Sequence, residues 1–419
     1  MSQRLNYLFN ALGPGILLAA TAIGVSHLVQ SVQAGAKYGL LFILFILFAH
    51  IIKYPFFEAA PRYSSVTKKT LLHGYYDLHP AYLVIYLIVT LLSVFTLLSA
   101  VTVVAAGIFA NMIKLDFNIH VWSTIVLTSS YLILAIGKYE FLDRSIKYVI
   151  LALTITSILS LVLALTSLDL SSRITVPEFS FSNNLDLLFL IGFLGWMPCP
   201  LDCAVWNSIW IVEKKHNDSI DVSYKKSLLD FRAGYLTTAI LGIIFLLLGY
   251  VMFYGSGTEL PPKSIGFVAK FLEVYTNSLG SWSFYLIATA AFITMFSTVI
   301  TCTDGYHRSI AKSIKLLFYD RKNNKCDEDK IYLYVLTACV IITLLVIYFL
   351  IENMRQLVLI ATVISFLTTP ILAWFNLKLL THKNYPKKYR PSKRYIAVSY
   401  VMLSILICLA VGFILSRIL

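Results

Sequence analysis

Apolar residues run along this chain in blocks of about twenty or more, separated by short polar links. A block of that length carries a helix across the hydrocarbon core of a bilayer. The period-two alternation of a membrane β-barrel is absent. In lipid every backbone N–H and C=O must be paired within its own segment, so each block is predicted as helix. The blocks lie at 12–39, 41–60, 82–113, 119–137, 146–167, 186–212, 233–255, 281–303, 331–351, 356–380 and 395–417. They give about eleven spans in an all-α polytopic membrane protein. The third block is long for a bilayer and is expected to tilt or project beyond it. No link is long enough for a soluble domain, so 1–419 reads as one transmembrane unit.

Composition sharpens the picture. The chain is 58% hydrophobic and only 13% charged, about half the charged share of a soluble domain. Its net charge of +13 would point to nucleic acid in a soluble protein. Here it has another origin, because Lys and Arg crowd into alternate links. Lys383, Lys387, Lys388, Arg390, Lys393 and Arg394 follow span 10, and Arg308, Lys312, Lys315, Arg321 and Lys322 follow span 8. The links after spans 2, 4 and 6 hold Arg62, Lys68, Lys69, Arg144, Lys147, Lys214, Lys215, Lys225 and Lys226. The positive-inside rule then places the N-terminus in the cytoplasm and, after an odd number of spans, the C-terminus outside. The expected partner is the lipid of a plasma (cell inner) membrane, with no nucleic acid. The first block lacks a cleavage pattern and is expected to be a retained span. The six cysteines, Cys199, Cys203, Cys302, Cys326, Cys339 and Cys408, are scattered and give no disulfide framework. The sequon Asn217-Asp218-Ser219 falls in a cytoplasmic link and is discounted.

Two spans are not ordinary helices. Span 1 weakens at Gly24-Val25-Ser26-His27 and continues through the polar Gln30, Ser31 and Gln33. Span 6 contains Gly195-Trp196-Met197-Pro198-Cys199-Pro200-Leu201-Asp202-Cys203. Its two prolines remove two backbone donors and clash with the preceding turn, so the helix must break near 195–200. The freed carbonyls need a partner other than lipid. Asp202 then opens the second half-helix, where the dipole favours an acid. Broken helices five spans apart are the signature of two inverted five-helix repeats, 12–167 and 186–380, with a further span at 395–417. Transporters of that design bind substrate where the broken helices meet.

Gly13-Pro14-Gly15, Gln33-Ala34-Gly35 and Met197-Pro198 resemble the span-1 start, the Q-A-G and the span-6 M-P-H of the natural-resistance-associated macrophage protein (Nramp) family. The resemblance implies the LeuT-type fold and proton-coupled carriage of a divalent metal ion. The departures fall on the ligands. The family's D-P-G-N aligns with Gly24, Val25, Ser26 and His27, so a glycine stands where the family has its carboxylate and a histidine where it has its amide. Met197 is kept, Cys199 replaces the family's histidine, and Thr362 takes the place of a span-10 amide.

These residues, Gly24, Ser26, His27, Gly195, Met197, Cys199, Asp202 and Thr362, form the expected substrate site, with His27, Met197 and Asp202 as its metal ligands. Hard divalent cations want carboxylates. An imidazole, a thioether and the thiols of Cys199 and Cys203 suit Zn²⁺, Cu⁺ or late transition metals. Loss of the acid equally leaves room for a small anion or zwitterion, since helix N-termini attract negative charge. No resident cofactor is called for, the ion at the centre being cargo.

Further ionisable residues lie within the spans. His50, Lys53 and Glu58 in span 2, and Asp304 and His307 at the end of span 8, are candidates for a proton route. Plain i,i+4 pairing of Glu58 with Arg62 and of Asp304 with Arg308 is the simpler reading. A phosphate loop, an H-E-x-x-H and a G-x-S-x-G are all absent, which argues against a pump or an enzyme.

Overall fold

The computed structural model describes residues 13–137, 154–166, 179–218, 224–258, 260–261, 263–319, 327–350 and 354–418. Arg144, Lys147, Ser219, Arg321, Lys322, Cys326 and the first residues of the fifth predicted span lie outside them. Seven described stretches are long and apolar enough to cross a membrane, and three shorter apolar helices join them.

The first predicted span is two helices. Pro14 opens α1 (Pro14–Ala22), a position where its missing N–H costs nothing. α1 ends at Ile23 and Gly24, and a π-helical turn, Ser26–Ser31, runs into Val32–Tyr38; together these form α2. α3 (Phe42–Thr67) carries Pro55 and Pro61 and ends on Lys68 at φ 62, in the left-handed conformation common after helix ends. It outruns its predicted limit because its last turns are polar. A short α4 (Leu71–Leu78), capped by the Thr70 hydroxyl, precedes α5 (Pro80–Ile113). α6 (Ile119–Ala135) and α7 (Thr154–Thr166) follow.

The second half repeats the plan. α8 (Asn184–Trp196) stops at Met197, and α9 (Asp202–Asp218) restarts after the prolines. α10 (Tyr224–Phe253), α11 (Ser264–Leu279), α12 (Ser283–Tyr319), α13 (Glu328–Leu350), α14 (Met354–Thr381) and α15 (Lys393–Ile418) complete the bundle. Neither α4 nor α11 was expected. Both are too short or too amphipathic to register as apolar blocks. The described segments otherwise match the predicted spans in number and order, two five-helix repeats and an extra C-terminal helix, which is the LeuT-type fold.

α1 and α2 are locked against α10 by small residues. A Cβ on Gly15 would lie 2.4 Å from the Asp230 carbonyl oxygen, and one on Gly234 2.1 Å from that of Gly15. At the other end, Cβ atoms on Gly35 and Gly249 would lie 2.0 and 2.2 Å from the carbonyls of Leu246 and Val32. Without a hydrophobic drive between helices in lipid, such close backbone contact supplies the packing. The Asp230 carboxylate also accepts the amides of Gly13 (3.0 Å) and Gly15 (2.7 Å), fixing the start of α1.

Polar clasps sit at the end of the bundle where α1 starts and α3 stops, here called the basic end. Buried Glu58 of α3 accepts hydrogen bonds from Tyr54, Arg62, Arg232 of α10 and Tyr395 of α15. Asp304 of α12 accepts from Arg308 (2.6 Å), Tyr332 of α13 (3.1 Å) and Trp210 of α9 (3.3 Å). Arg308 reaches on to Glu213 of α9 (3.1 Å). Glu58 and Asp304 thus hold the expected i,i+4 pairs and tie further helices to them.

Two outcomes follow. Gly249→Ala, forced against backbone, is expected to destabilise the purified protein by about 1–3 kcal/mol, whereas Gly412→Ala, with nothing within 4 Å, leaves thermal unfolding unchanged or slightly raised. Glu58→Ala removes the buried carboxylate that Tyr54, Arg62, Arg232 and Tyr395 share and is expected to cost about 1–3 kcal/mol; a melting temperature equal to the parent would refute the clasp.

Candidate substrate site

A broken helix in lipid leaves carbonyls that water cannot reach. Here each break is served by side chains from the other elements. At the first, Ala22 O accepts from Ser26 Oγ (2.8 Å) and Ala20 O from Thr298 Oγ1 of α12 (3.3 Å). At the second, Gly195 O accepts from Lys53 Nζ of α3 (2.8 Å), and Pro198 O lies 3.3 Å from Ser26 Oγ, whose one hydrogen it shares with the nearer Ala22 O. Ser26 therefore touches both breaks, and the two meet.

Between them lies a cavity of about 20 Å³, enough for a water-sized body. Thr21, Val25 and Ser26 line it from the first break, and Trp196, Cys199, Pro200, Cys203 and Trp206 from the second. α5 contributes Leu97 and Val101, and α12 contributes Thr298 and Cys302. The wall is apolar apart from hydroxyls, thiols, an indole N–H and backbone. No carboxylate or imidazole lines it. All of these residues are buried. Toward the basic end, α9 is clasped to α12 through Trp210, Asp304, Arg308 and Glu213. The opposite end is closed by α14, where Thr362 O would lie 2.0 Å from a Cβ on Gly195 and Ser365 Oγ accepts the Trp196 indole N–H (2.9 Å).

The expected site residues divide between this cavity and its surroundings. Ser26 and Cys199 line it. Gly24 sits beside it, and its carbonyl is taken by the amides of His27 (3.1 Å) and Leu28 (2.9 Å). A Cβ at Gly24 would lie 2.8 Å from Thr298 Cγ2. His27 turns away, toward α10. The Thr238 carbonyl can only accept, so His27 Nε2 carries the hydrogen donated to it (2.9 Å), while Nδ1 lies 2.8 Å from Ser26 Oγ. Met197 faces the same helix: its sulfur and His27 Cδ2 would lie 3.6 and 3.7 Å from a Cβ on Gly242. Asp202 opens α9 as expected but faces Thr90 of α5. Gly195 gives its carbonyl to Lys53, and Thr362 packs on the backbone of α8. His27, Met197 and Asp202 do not converge. The described residues hold no group of three or more histidine, cysteine or acid side chains placed to share a metal ion.

The residues proposed for a proton route are also dispersed. His50 donates from Nδ1 to Ile46 O (2.8 Å), and its Nε2 lies 3.2 Å from Thr238 Oγ1. Thr238 therefore joins His50 to His27, through its hydroxyl on one side and its carbonyl on the other. Both ring nitrogens of buried His307 lack a partner. Glu58 and Asp304 belong to the clasps. Sequence reasoning missed Cys302, Thr298 and Trp206 in the cavity wall; no motif marks them, and only packing of α12 on the breaks brings them in.

A family model described as natural resistance-associated macrophage protein-like matches residues 15–416. An uncharacterised protein of Pasteurella multocida is 33% identical over 375 residues, 89% of this chain and 85% of that protein. Among solved structures, a manganese transporter of Eremococcus coleocola superposes with a TM-score of 0.71 at 14% identity, covering 97% of this chain and 86% of that one. MhsT, in complex with L-phenylalanine, gives 0.61 at 15%, covering 94% and 98%. The two structural likenesses establish the fold, and the family match establishes kinship. The chain thus belongs to the Nramp-like family: it is an integral membrane secondary transporter of the Nramp type, not an enzyme.

Proposed function

We propose that this transporter carries a soft transition-metal ion, Cu⁺ before Zn²⁺, through the cavity between its two helix breaks. The observation that carries the reading is the cavity wall: three thiols, Cys199, Cys203 and Cys302, and no carboxylate. Hard divalent ions such as Mn²⁺ or Mg²⁺ find no charged oxygen there. Thiols select soft ions, and a monovalent soft ion is content with a pair of sulfurs. Carriage proceeds by alternating access, with the α9–α12 clasp and the α8–α14 contact opening in turn around the breaks. The repeats at 12–167 and 186–380 supply the two-fold pseudosymmetry of that motion. The basic end faces the cytoplasm, with the N-terminus inside and the C-terminus outside a plasma membrane.

A second reading, a small anion, has its own support. Lys53 is buried, donates to Gly195 O beside the cavity, and forms no ion pair with an acid among the described residues. The indole N–H of Trp206, which lines the cavity, also has no partner. A buried amine and a free N–H donor suit a negative solute.

The purified protein in sealed proteoliposomes is expected to take up Cu⁺ or its analogue Ag⁺, more weakly Zn²⁺, and neither Mn²⁺ nor Mg²⁺. Uptake of acetate or bicarbonate alone would sink the metal reading and leave the anion. Cys199→Ser and Cys302→Ser are each expected to weaken apparent metal affinity by about tenfold or more. Met197→Leu conserves volume and, because its sulfur faces α10, leaves uptake within about twofold of the parent; a loss as large as in the cysteine variants would return Met197 to the ligand set.

A further inference from the structure

Toward the basic end from the cavity lies a cluster of buried polar side chains from α5, α9 and α12. Asp202 is its centre and is 1% exposed. Oδ1 of Asp202 forms no hydrogen bond within the protein, and no lysine, arginine or histidine pairs with the carboxyl among the described residues. Thr90 of α5 faces the carboxyl, and Tyr86, one turn earlier, faces Thr90. Thr90 Oγ1 and Tyr86 Oη are also buried and also without a partner. Tyr306 of α12 stands within electrostatic reach of the same carboxyl, its hydroxyl 3.4 Å from Ser93 Oγ. Three orphaned oxygens, one of them anionic, therefore gather at one buried place.

Such a cluster is expensive as it stands. The start of α9 favours the ionised carboxyl, and an ionised carboxyl in a membrane interior demands a counter-charge. A proton on Asp202 would serve its contact with Thr90 and bring nothing to the Tyr86 hydroxyl. A bound cation draws on all three oxygens together. The thiols of Cys203 and Cys302 stand nearby, but the three unpartnered groups are all hard oxygen donors, which favour a hard ion, and a single carboxylate matches a single positive charge. We propose that Asp202, Thr90 and Tyr86 form a binding site for an alkali cation, Na⁺, distinct from the cavity. Thr90 lies seven residues before Leu97 of the cavity wall, about 10 Å along the helix. Na⁺ held there bridges α5 to the first turn of α9, the half-helix that must move when the basic end opens. That is the position of a coupling ion.

The test needs no knowledge of the cargo. The purified full chain in detergent is titrated with NaCl against choline chloride at fixed pH and ionic strength, reading melting temperature and binding of radioactive sodium. Saturable binding of one Na⁺ per chain is expected, with a rise in melting temperature that choline does not give. Asp202→Asn, nearly isosteric, abolishes both, and Thr90→Val raises the half-saturating Na⁺ by about tenfold. Asp77→Asn, an exposed carboxyl paired with Lys69, leaves both intact. Should Asp202→Asn fold poorly, Tyr86→Phe takes its place and is expected to weaken Na⁺ binding several-fold. Absence of sodium binding by the parent, or binding undiminished in Asp202→Asn and Thr90→Val, would overturn the assignment. So would a parent that answers to pH in choline but not to Na⁺, which would make Asp202 a proton site. Because no metal or anion substrate enters the assay, failure here is separable from failure of the transport reading.

Discussion

A helix that stops inside a bilayer must hand its last carbonyls to something, and lipid offers nothing. The partners here come from across the molecule: Ser26 from the first break to the second, Lys53 from α3, Thr298 from α12. Each partner draws another helix toward the breaks, and the cavity is the space these recruitments leave. Had the breaks been paired by local turns alone, nothing would oblige α3, α5 and α12 to converge there. The binding chamber is thus a consequence of backbone bookkeeping before it is a matter of ligand choice.

The same logic separates the parts that stay together from those that part. Glycine seams press α1 and α2 onto α10 backbone to backbone, with no side chains to slide. The contact of α9 with α12 is of another kind, made through the ends of Trp210, Glu213, Asp304 and Arg308. Its interhelical ion pair, Arg308 with Glu213, is about a third exposed on each side, and such a pair contributes little net stability. Rigid seams and weak clasps in one bundle are what a rocking motion around a fixed site requires.

Much of the fold was legible from the chain. Block length gave the spans, and Pro198 and Pro200 gave the second break and, with it, the start of α9 at Asp202. The first break was harder, since Gly24 alone rarely stops a helix; polar residues on both sides were the clue. The short helices α4 and α11 escaped because block length cannot register a helix that is short or apolar on one face only. Side-chain direction was the weaker part. His27 and Met197 lie on the right helices, yet both face α10, because Thr238 offers His27 a carbonyl and Gly242 offers Met197 room. Cys302 could not have been found from pattern, as it stands alone in its span and reaches the cavity only through the packing of α12 on α5.

Gly24 and Thr298 constrain each other across the first break. A side chain at position 24 would strike Thr298, a stiff β-branched residue whose hydroxyl is committed to Ala20 O and Thr294 O. Placing an acid at position 24 therefore demands a smaller residue at 298, and that change by itself undoes one of the bonds that hold the break. The two positions are therefore coupled: a carboxylate at 24 and a smaller residue at 298 are each costly alone, and only the pair of changes admits an acid at the break.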